Sequence, residues 1–210
     1  MTVIHENQAV VQTGKALTEA RAVMILLHGR GDTSQGIMGL TEQLEHPGFA
    51  FLAPQAASNT WYPYRFLEPT ERNEPYLSSA LQTISNILEK TLESVPLKRT
   101  FILGFSQGAC LALEFAARHG GKFGGLIAFS GGLISESLEL SKYKNLEQSP
   151  VFIGCSDVDS HIPKTRVEAS AVMLEQLNAN VTWRLYPNFG HTINQDELEM
   201  AKGLMQTSSL

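Results

Sequence analysis

Short apolar runs alternate along the chain with longer segments whose apolar residues recur every three or four positions. The clearest helix is predicted from residue 76 to about residue 93, because its leucines and isoleucines fall on one face. Apolar runs that are too short for a helix predict buried strands. Such alternation is typical of an α/β fold, with a mostly parallel central sheet and helices on both faces. The predicted strands are residues 22–27, 49–53, 100–103, 124–129, 150–155 and 181–186.

Further helices are predicted over residues 34–44 and 164–177, directly after residue 106, and after the last strand. Residues 1–20 predict one or two short leading strands with a turn at Gly14. No internal repeat, low-complexity tract or convincing linker divides the sequence. At 210 residues the length suits one domain, so we expect a single domain over residues 1–210.

Two stretches interrupt the alternation of strands and helices, residues 56–75 and residues 133–146. The first contains three prolines and several aromatic residues, which predicts an ordered loop. Long loops inside a compact domain are often functional. We therefore expect it to form one wall of a substrate pocket, with Trp61 and Tyr62 as substrate-binding residues; the alternative is a surface loop pinned by its aromatic side chains. Residues 133–146 are a candidate for a second wall.

The segment from Gly104 to Gly108 has the pattern Gly-x-Ser-x-Gly between an apolar run and an Ala/Leu-rich run. That arrangement predicts a nucleophile elbow, a sharp strand-to-helix turn that exposes the hydroxyl of Ser106. The alternative is a tight turn whose serine caps the helix. A serine hydroxyl is a poor nucleophile without an adjacent base. The rest of a catalytic triad should therefore follow in the order acid, then histidine.

Both partners follow in that order. Asp157 and Asp159 come directly after the predicted strand 150–155, where folds of this class place their chemistry. His191 lies in a loop between the last strand and the final helix. A histidine there can take the proton of Ser106 and return it to the leaving group, while a carboxylate orients the imidazole. The order alone leaves open which of the two aspartates is the triad acid.

An oxyanion needs two donors that stabilise its developing charge. One is expected from the backbone N–H of Gln107, the residue after the nucleophile. The other should come from the loop after an early strand, where His28-Gly29-Arg30-Gly31 allows a tight turn. The backbone N–H of Arg30 is the candidate, and His28 is expected to pack beneath this loop.

Four motifs in this order resemble the phospholipase/carboxylesterase family of α/β-hydrolases, which includes bacterial carboxylesterases and acyl-protein thioesterases. The resemblance covers nearly the whole chain, and it implies a serine hydrolase with an acyl-enzyme intermediate. It also implies that Asp159 is the triad acid, because Asp159 keeps the family's spacing to Pro163. Ser156 and Ser160 depart from the residues usual in the family, and a shifted register would favour Asp157 instead. The four motifs are residues 27–33, 104–109, 157–163 and 190–191.

Composition narrows the class of protein and its partners. Hydrophobic residues make up 43% of the chain and charged residues 18%, an ordinary globular composition. The net charge of −5, without a basic cluster, argues against a nucleic-acid partner. No apolar run approaches the ~20 residues that span a bilayer, so no stable membrane insertion is expected. Two cysteines in apolar contexts, Cys110 and Cys155, and a polar N-terminus favour the cytoplasm.

We therefore expect an enzyme that cleaves small-molecule carboxylic esters or thioesters and that requires no metal and no organic cofactor. Two alternatives stay open: a hydrolase of another acyl bond, in a peptide, a lactone or an acetylated sugar, and a non-catalytic binding protein on a hydrolase scaffold. The exposed aromatic loop is compatible with a homodimer. Fold and triad are shared by many activities, so the natural substrate is not predicted.

Overall fold

The computed structural model describes residues 4–44 and 46–208. The predicted domain of residues 1–210 thus includes residues 1–3, 45, 209 and 210, which lie outside the described part. Seven strands form one sheet in the order β1-β3-β2-β4-β5-β6-β7. Among the described residues, only β1 runs antiparallel to its neighbour, and the other pairs are parallel. The strands are β1 (Val10–Gly14), β2 (Ala22–Leu27), β3 (Phe49–Pro54), β4 (Thr100–Phe105), β5 (Gly125–Phe129), β6 (Pro150–Ser156) and β7 (Asn180–Tyr186).

Helices cover both faces of this sheet. Every residue of β2 and β3 is buried, which explains why these strands are continuous apolar runs without an alternating pattern. Helices α1 and α5 pack on one face, and α2, α3 and α4 pack on the other. The predicted fold class is confirmed, and most predicted boundaries lie within one residue of the observed ones. The helices are α1 (Ser34–Met38), α2 (Tyr76–Leu92), α3 (Gln107–His119), α4 (Lys164–Gln176) and α5 (Gln195–Ser208).

One predicted helix differs from the structure, and the predicted leading strands are resolved to one. The helix predicted over residues 34–44 ends at Met38 and continues as a 3₁₀ turn, Gly39–Glu42. Glycine at positions 36 and 39 explains the early end, because glycine in a helix interior is unfavourable by up to ~1 kcal/mol relative to alanine. The leading segment forms one strand, β1, within residues 4–20; residues 1–3 of that prediction lie outside the described part.

The loop at residues 133–146 is held against α3 by one buried carboxylate. The side chain of Glu114 is 1% exposed, and it accepts hydrogen bonds from the Ile134 amide (3.0 Å) and the Tyr143 hydroxyl (3.2 Å). Arg118 donates to its other oxygen at 2.7 Å. These bonds satisfy the charge that α3 buries at this position, and they fix the loop on the face of the sheet that α3 covers.

Helix α5 begins with a reciprocal capping arrangement a few residues after His191. The side chain of Asn194 accepts from the Glu197 amide at 2.9 Å, and the carboxylate of Glu197 accepts from the Asn194 amide at 2.8 Å. The second carboxylate oxygen of Glu197 is buried and has no hydrogen-bond partner among the described residues. Burial raises the pKa of Glu197 to about 7. The folded protein therefore binds a proton here more tightly than the unfolded chain does.

This raised pKa predicts that folding stability falls as pH rises from about 4.5 through 7, since the folded state must release a proton from a buried carboxyl. Glu197→Gln keeps the shape and removes the titration. We expect the free energy of unfolding of the variant, relative to wild type, to improve by about 3 kcal/mol between pH 4.5 and pH 8.5. Urea unfolding at both pH values measures it. Glu175→Gln, at an exposed position of α4, is the matched control, and an equal change in that control would contradict the assignment.

Candidate active site

Ser106 lies in the turn between β4 and α3. Its backbone has φ 54° and ψ −117°, a strained conformation that a serine adopts only when the surrounding structure enforces it. The Ser106 amide donates to the Phe129 carbonyl of the neighbouring strand at 2.9 Å, which fixes the turn to the sheet. The hydroxyl is thereby presented at the carboxyl edge of the sheet, as the Gly-x-Ser-x-Gly pattern predicts.

The two glycines of this pattern are required by backbone contacts. A Cβ atom at position 104 would collide with the backbone of Gly108, and one at position 108 would collide with the Leu27 carbonyl of β2. Rigid backbone occupies both spaces, so no side-chain movement could relieve the overlap. The glycines therefore let α3 start directly over the ends of β2 and β4.

The structure brings Ser106, His191 and Asp159 together in one hydrogen-bonded chain. The Nε2 atom of His191 lies 2.8 Å from the Ser106 Oγ atom, and its Nδ1 atom lies 2.7 Å from the Asp159 Oδ2 atom. The side chain of Asp159 is fully buried, while that of His191 is 21% exposed. This arrangement allows proton transfer from serine to histidine, with the carboxylate stabilising the imidazolium.

Asp159 is held in its ionised form by further donors. Its Oδ1 atom accepts from the amides of His161 (2.8 Å) and Ile162 (3.0 Å), at the turn before α4. Burial acts to raise the pKa of Asp159, but the hydrogen bond with His191 and the two amides outweigh it, so the pKa lies below its usual value. The carboxylate is therefore charged at neutral pH and available to orient His191.

Asp157 lies elsewhere in this loop. Its Oδ1 atom accepts from the Asn188 amide at 2.8 Å, in the loop that leads to His191. The neighbouring Ser156, which departs from the family's usual glycine, accepts from the Gly190 amide at 3.0 Å. These two bonds join the loop after β6, which carries Asp159, to the loop after β7, which carries His191. They do so independently of the bonds among Ser106, His191 and Asp159. The role of Ser156 was missed from the sequence, where only its departure from the family pattern was noted.

The two candidate oxyanion donors come from different parts of the chain. The backbone amide of Arg30 lies in the loop after β2, and that of Gln107 lies at the start of α3, directly after Ser106. Within the described residues neither amide donates a hydrogen bond, so both are available to a ligand. His28 packs beneath the Arg30 loop, as expected, and its Nε2 atom accepts from the Ala56 amide at 3.1 Å. Burial lowers the pKa of His28, which favours the neutral ring that this acceptor role requires.

A cavity of about 770 Å³ opens at Ser106. Its buried part is lined by apolar groups, and its rim carries charged and exposed side chains. The buried lining groups are Tyr62, Phe66, Cys110 and Ile162, and the rim includes Asp32, Tyr64, Arg65, Glu68 and His161.

The loop at residues 56–75 forms one wall of this cavity, as expected. Of its two candidate substrate-binding residues, however, the structure places only one in the wall. Tyr62 lines the cavity, whereas Trp61 is fully buried and is not among the lining residues. The Trp61 indole N–H donates to the His28 carbonyl at 2.9 Å, which turns the ring under residues 28–31, named the oxyanion loop here for the candidate amide of Arg30. Trp61 therefore supports the wall from beneath and has no surface in the cavity.

The opposite wall is formed by His161 and Ile162, and the loop at residues 133–146 does not line the cavity. The expected second wall is thus replaced by the turn after Asp159. The His161 ring lies 4.7 Å from the His191 ring, between centroids. Sequence reasoning missed this wall, although the position of both residues directly after the triad acid was a usable signal.

Comparison of the sequence with known families identifies the family of this chain. Residues 6–209 match the family model described as Phospholipase/Carboxylesterase. The chain belongs to the phospholipase/carboxylesterase family. A crystal structure of a phospholipase/carboxylesterase from Dyadobacter fermentans DSM 18053 is 38% identical with a TM-score of 0.92, over 95% of this chain and 97% of that one.

More distant relatives agree. An acyl-protein thioesterase 1 from Yarrowia lipolytica is 29% identical over 84% of this chain and 87% of its own length. The crystal structure of the Bacillus cereus carboxylesterase shares the fold, with a TM-score of 0.78 at 21% identity, over 97% of this chain and 95% of that one. The expected reaction class, a serine hydrolase of esters or thioesters, is confirmed for this family member. In the part of the chain described, no helix has the length and apolar character needed to cross a membrane.

The contrast between the two aspartates gives a direct test of the site. Asp159→Asn should leave the fold intact and lower kcat by up to ~10⁴-fold, because the amide cannot hold His191 in the productive tautomer. Asp157→Asn removes the charge but keeps an oxygen that can accept from the Asn188 amide, so it should cost less than about tenfold. Steady-state kinetics of both variants, with circular dichroism as a folding check, decides between them. If the folded Asp157 variant were the more damaged, the acid would be Asp157.

Proposed function

We propose that this protein hydrolyses carboxylic esters or thioesters through an acyl-enzyme on Ser106. His191 removes the proton from the Ser106 hydroxyl as its oxygen attacks the acyl carbon, and Asp159 stabilises the resulting imidazolium. The amides of Arg30 and Gln107 donate to the oxyanion, assisted by the positive end of α3. The observation that carries the proposal is the Ser106–His191–Asp159 chain, with distances of 2.8 and 2.7 Å, at the mouth of a cavity.

The same groups complete the cycle. The tetrahedral intermediate collapses as His191 gives its proton to the departing alcohol or thiol, leaving the acyl group on Ser106. Water then attacks that acyl carbon, with His191 again as base, and the carboxylic acid leaves as the Ser106 hydroxyl is restored. Relatives named acyl-protein thioesterase support the inclusion of thioesters among the substrates.

The lining of the cavity supports an assignment of substrate orientation. An apolar acyl chain fits the buried surfaces of Tyr62, Phe66 and Ile162, and the leaving group points toward the charged rim and solvent. Tyr62 is accordingly our candidate substrate-binding residue. An open rim accommodates leaving groups of different size, which suits small-molecule esters and surface-displayed thioesters alike.

Cellular context and assembly are part of the proposal. Both cysteines are free and buried, which supports a reducing compartment such as the cytoplasm. The net charge of −5 supports a protein without a nucleic-acid partner. The single-domain organisation and a homodimer through the aromatic loop remain predictions, and sedimentation analysis tests the dimer.

Ser106→Ala should lower kcat by at least about 10³-fold, since nucleophile and base act as a unit. A fluorophosphonate probe should label wild type stoichiometrically at Ser106 and should not label the variant. Ser78→Ala, at an exposed serine of α2, is the matched control and should keep full activity and labelling. Mass spectrometry of the labelled peptide identifies the residue. Absence of labelling in folded wild type would favour a non-catalytic binding protein, and labelling at another residue would move the nucleophile.

Enlarging the buried part of the cavity should change chain-length preference. Phe66→Ala should raise kcat/KM for an octanoyl ester relative to a butyryl ester by about tenfold, because an apolar pocket that holds one more methylene gains about 1–3 kcal/mol. A panel of p-nitrophenyl esters and acyl thioesters measures this ratio. Phe66→Leu, which removes less volume, should give a smaller change in the same direction. An unchanged ratio would place the acyl chain elsewhere.

A further inference from the structure

The side chain of Arg30 spans from the oxyanion loop to the aromatic wall of the cavity. Its guanidinium donates to three successive carbonyls, those of Tyr62 (2.9 Å), Pro63 (2.8 Å) and Tyr64 (2.8 Å). Arg30 forms no ion pair with any residue in the described part of the chain. Its hydrogen bonds are therefore with backbone oxygens, for which a rigid planar donor is better suited than an ammonium group, and its Cζ atom lies 6.0 Å from the centroid of the Tyr62 ring.

Gln107 holds the same segment from the other side. Its Oε1 atom accepts from the Trp61 amide (2.9 Å), and its Nε2 atom donates to the Tyr62 carbonyl (2.8 Å). The side chain is only 6% exposed, so these bonds are made in a largely dry environment where they are strong. The carbonyl of Tyr62 thus accepts from both Arg30 and Gln107.

Two further hydrogen bonds join the two loops. The Gly31 amide donates to the Asn59 carbonyl at 2.7 Å, and the Trp61 indole donates to the His28 carbonyl at 2.9 Å. The segment 59–64 is therefore attached to the oxyanion loop on both sides of Arg30 and to the first residue of α3. The two residues that offer the candidate oxyanion amides are thus both among those whose side chains hold this segment, with Asn73 and His5.

We propose that the guanidinium of Arg30 and the carboxamide of Gln107 are positioning groups. They use segment 59–64 as a brace that fixes the two candidate oxyanion amides. Each side chain anchors its own backbone N–H: one end of the residue faces the oxyanion, and the other end is tied to the common Tyr62 carbonyl. A displacement of about 1 Å in a reacting group can cost about 10²-fold in rate. The brace therefore acts on the transition state and does not merely shape the wall.

This inference rests on the proposed function, and its test measures both separately. Arg30→Met removes all three hydrogen bonds, whereas Arg30→Lys keeps a positive charge and one ammonium group that can donate to some of these carbonyls. Arg21→Met is the matched control: Arg21 is an exposed arginine just before the amino end of β2, and Arg30 follows the carboxyl end of the same strand. Each variant is measured for kcat and KM on one p-nitrophenyl ester. Affinity for a trifluoromethyl ketone, whose adduct with the serine carries an oxyanion, and thermal unfolding are also measured.

For Arg30→Met we expect kcat to fall 10- to 100-fold, with KM changed less than about threefold, and the affinity for the trifluoromethyl ketone to fall in parallel with kcat. Arg30→Lys should recover part of the loss, as should addition of guanidinium ion at tens of millimolar to Arg30→Met. The Arg30→Met/Gln107→Met double variant should lose less than the product of the two single losses, because both donors serve one carbonyl.

A rise in KM with kcat and ketone affinity unchanged would overturn the proposal and leave Arg30 as part of the wall alone. So would multiplicative losses in the double variant, or equal losses in Arg21→Met. If Arg30→Met does not fold, Arg30→Lys decides on the same readouts. Wild type that is folded yet unlabelled by a fluorophosphonate would refute the proposed function itself, and with it this inference; wild type that is labelled, with Arg30 variants of full kcat, would refute the inference alone.

Discussion

The close contact between α3 and the end of β2 at Gly108 is the constraint on which the site depends. With no side chain at this position, the helix begins against the Leu27 carbonyl, and the chain must turn sharply at Ser106 to reach it. The same contact brings the loop after β2 beside the first turn of α3. One backbone approach therefore exposes the hydroxyl and brings together the two segments that carry the proposed oxyanion amides, those of Arg30 and Gln107.

What could be predicted from the sequence is what short segments determine. The apolar runs identify the strands because central parallel strands are buried on both faces, and the glycines around Ser106 mark a turn that other residues cannot make. The order of serine, acid and histidine follows from the order of the strands. The choice of Asp159 over Asp157 came only from the spacing of a family motif, and the structure brings Asp159 to His191.

The rest depends on partners that are distant in the sequence. Trp61 points inward because its indole finds the His28 carbonyl, and the loop at residues 133–146 stays off the cavity because the buried carboxylate of Glu114 holds it. No local pattern shows either partner. The side chain of Arg30 is a similar case, since nothing in a His-Gly-Arg-Gly turn indicates that the guanidinium reaches three carbonyls of another loop.

The bonds from Ser156 to the Gly190 amide and from Asp157 to the Asn188 amide have a kinetic consequence. They hold the loop after β6 against the loop after β7 without any substrate, so the proton relay that we propose for Ser106, His191 and Asp159 is preorganised and needs little reorganisation. Enzymes in which closure of a lid completes the active site differ in this respect, because their catalytic groups come together only after the substrate binds.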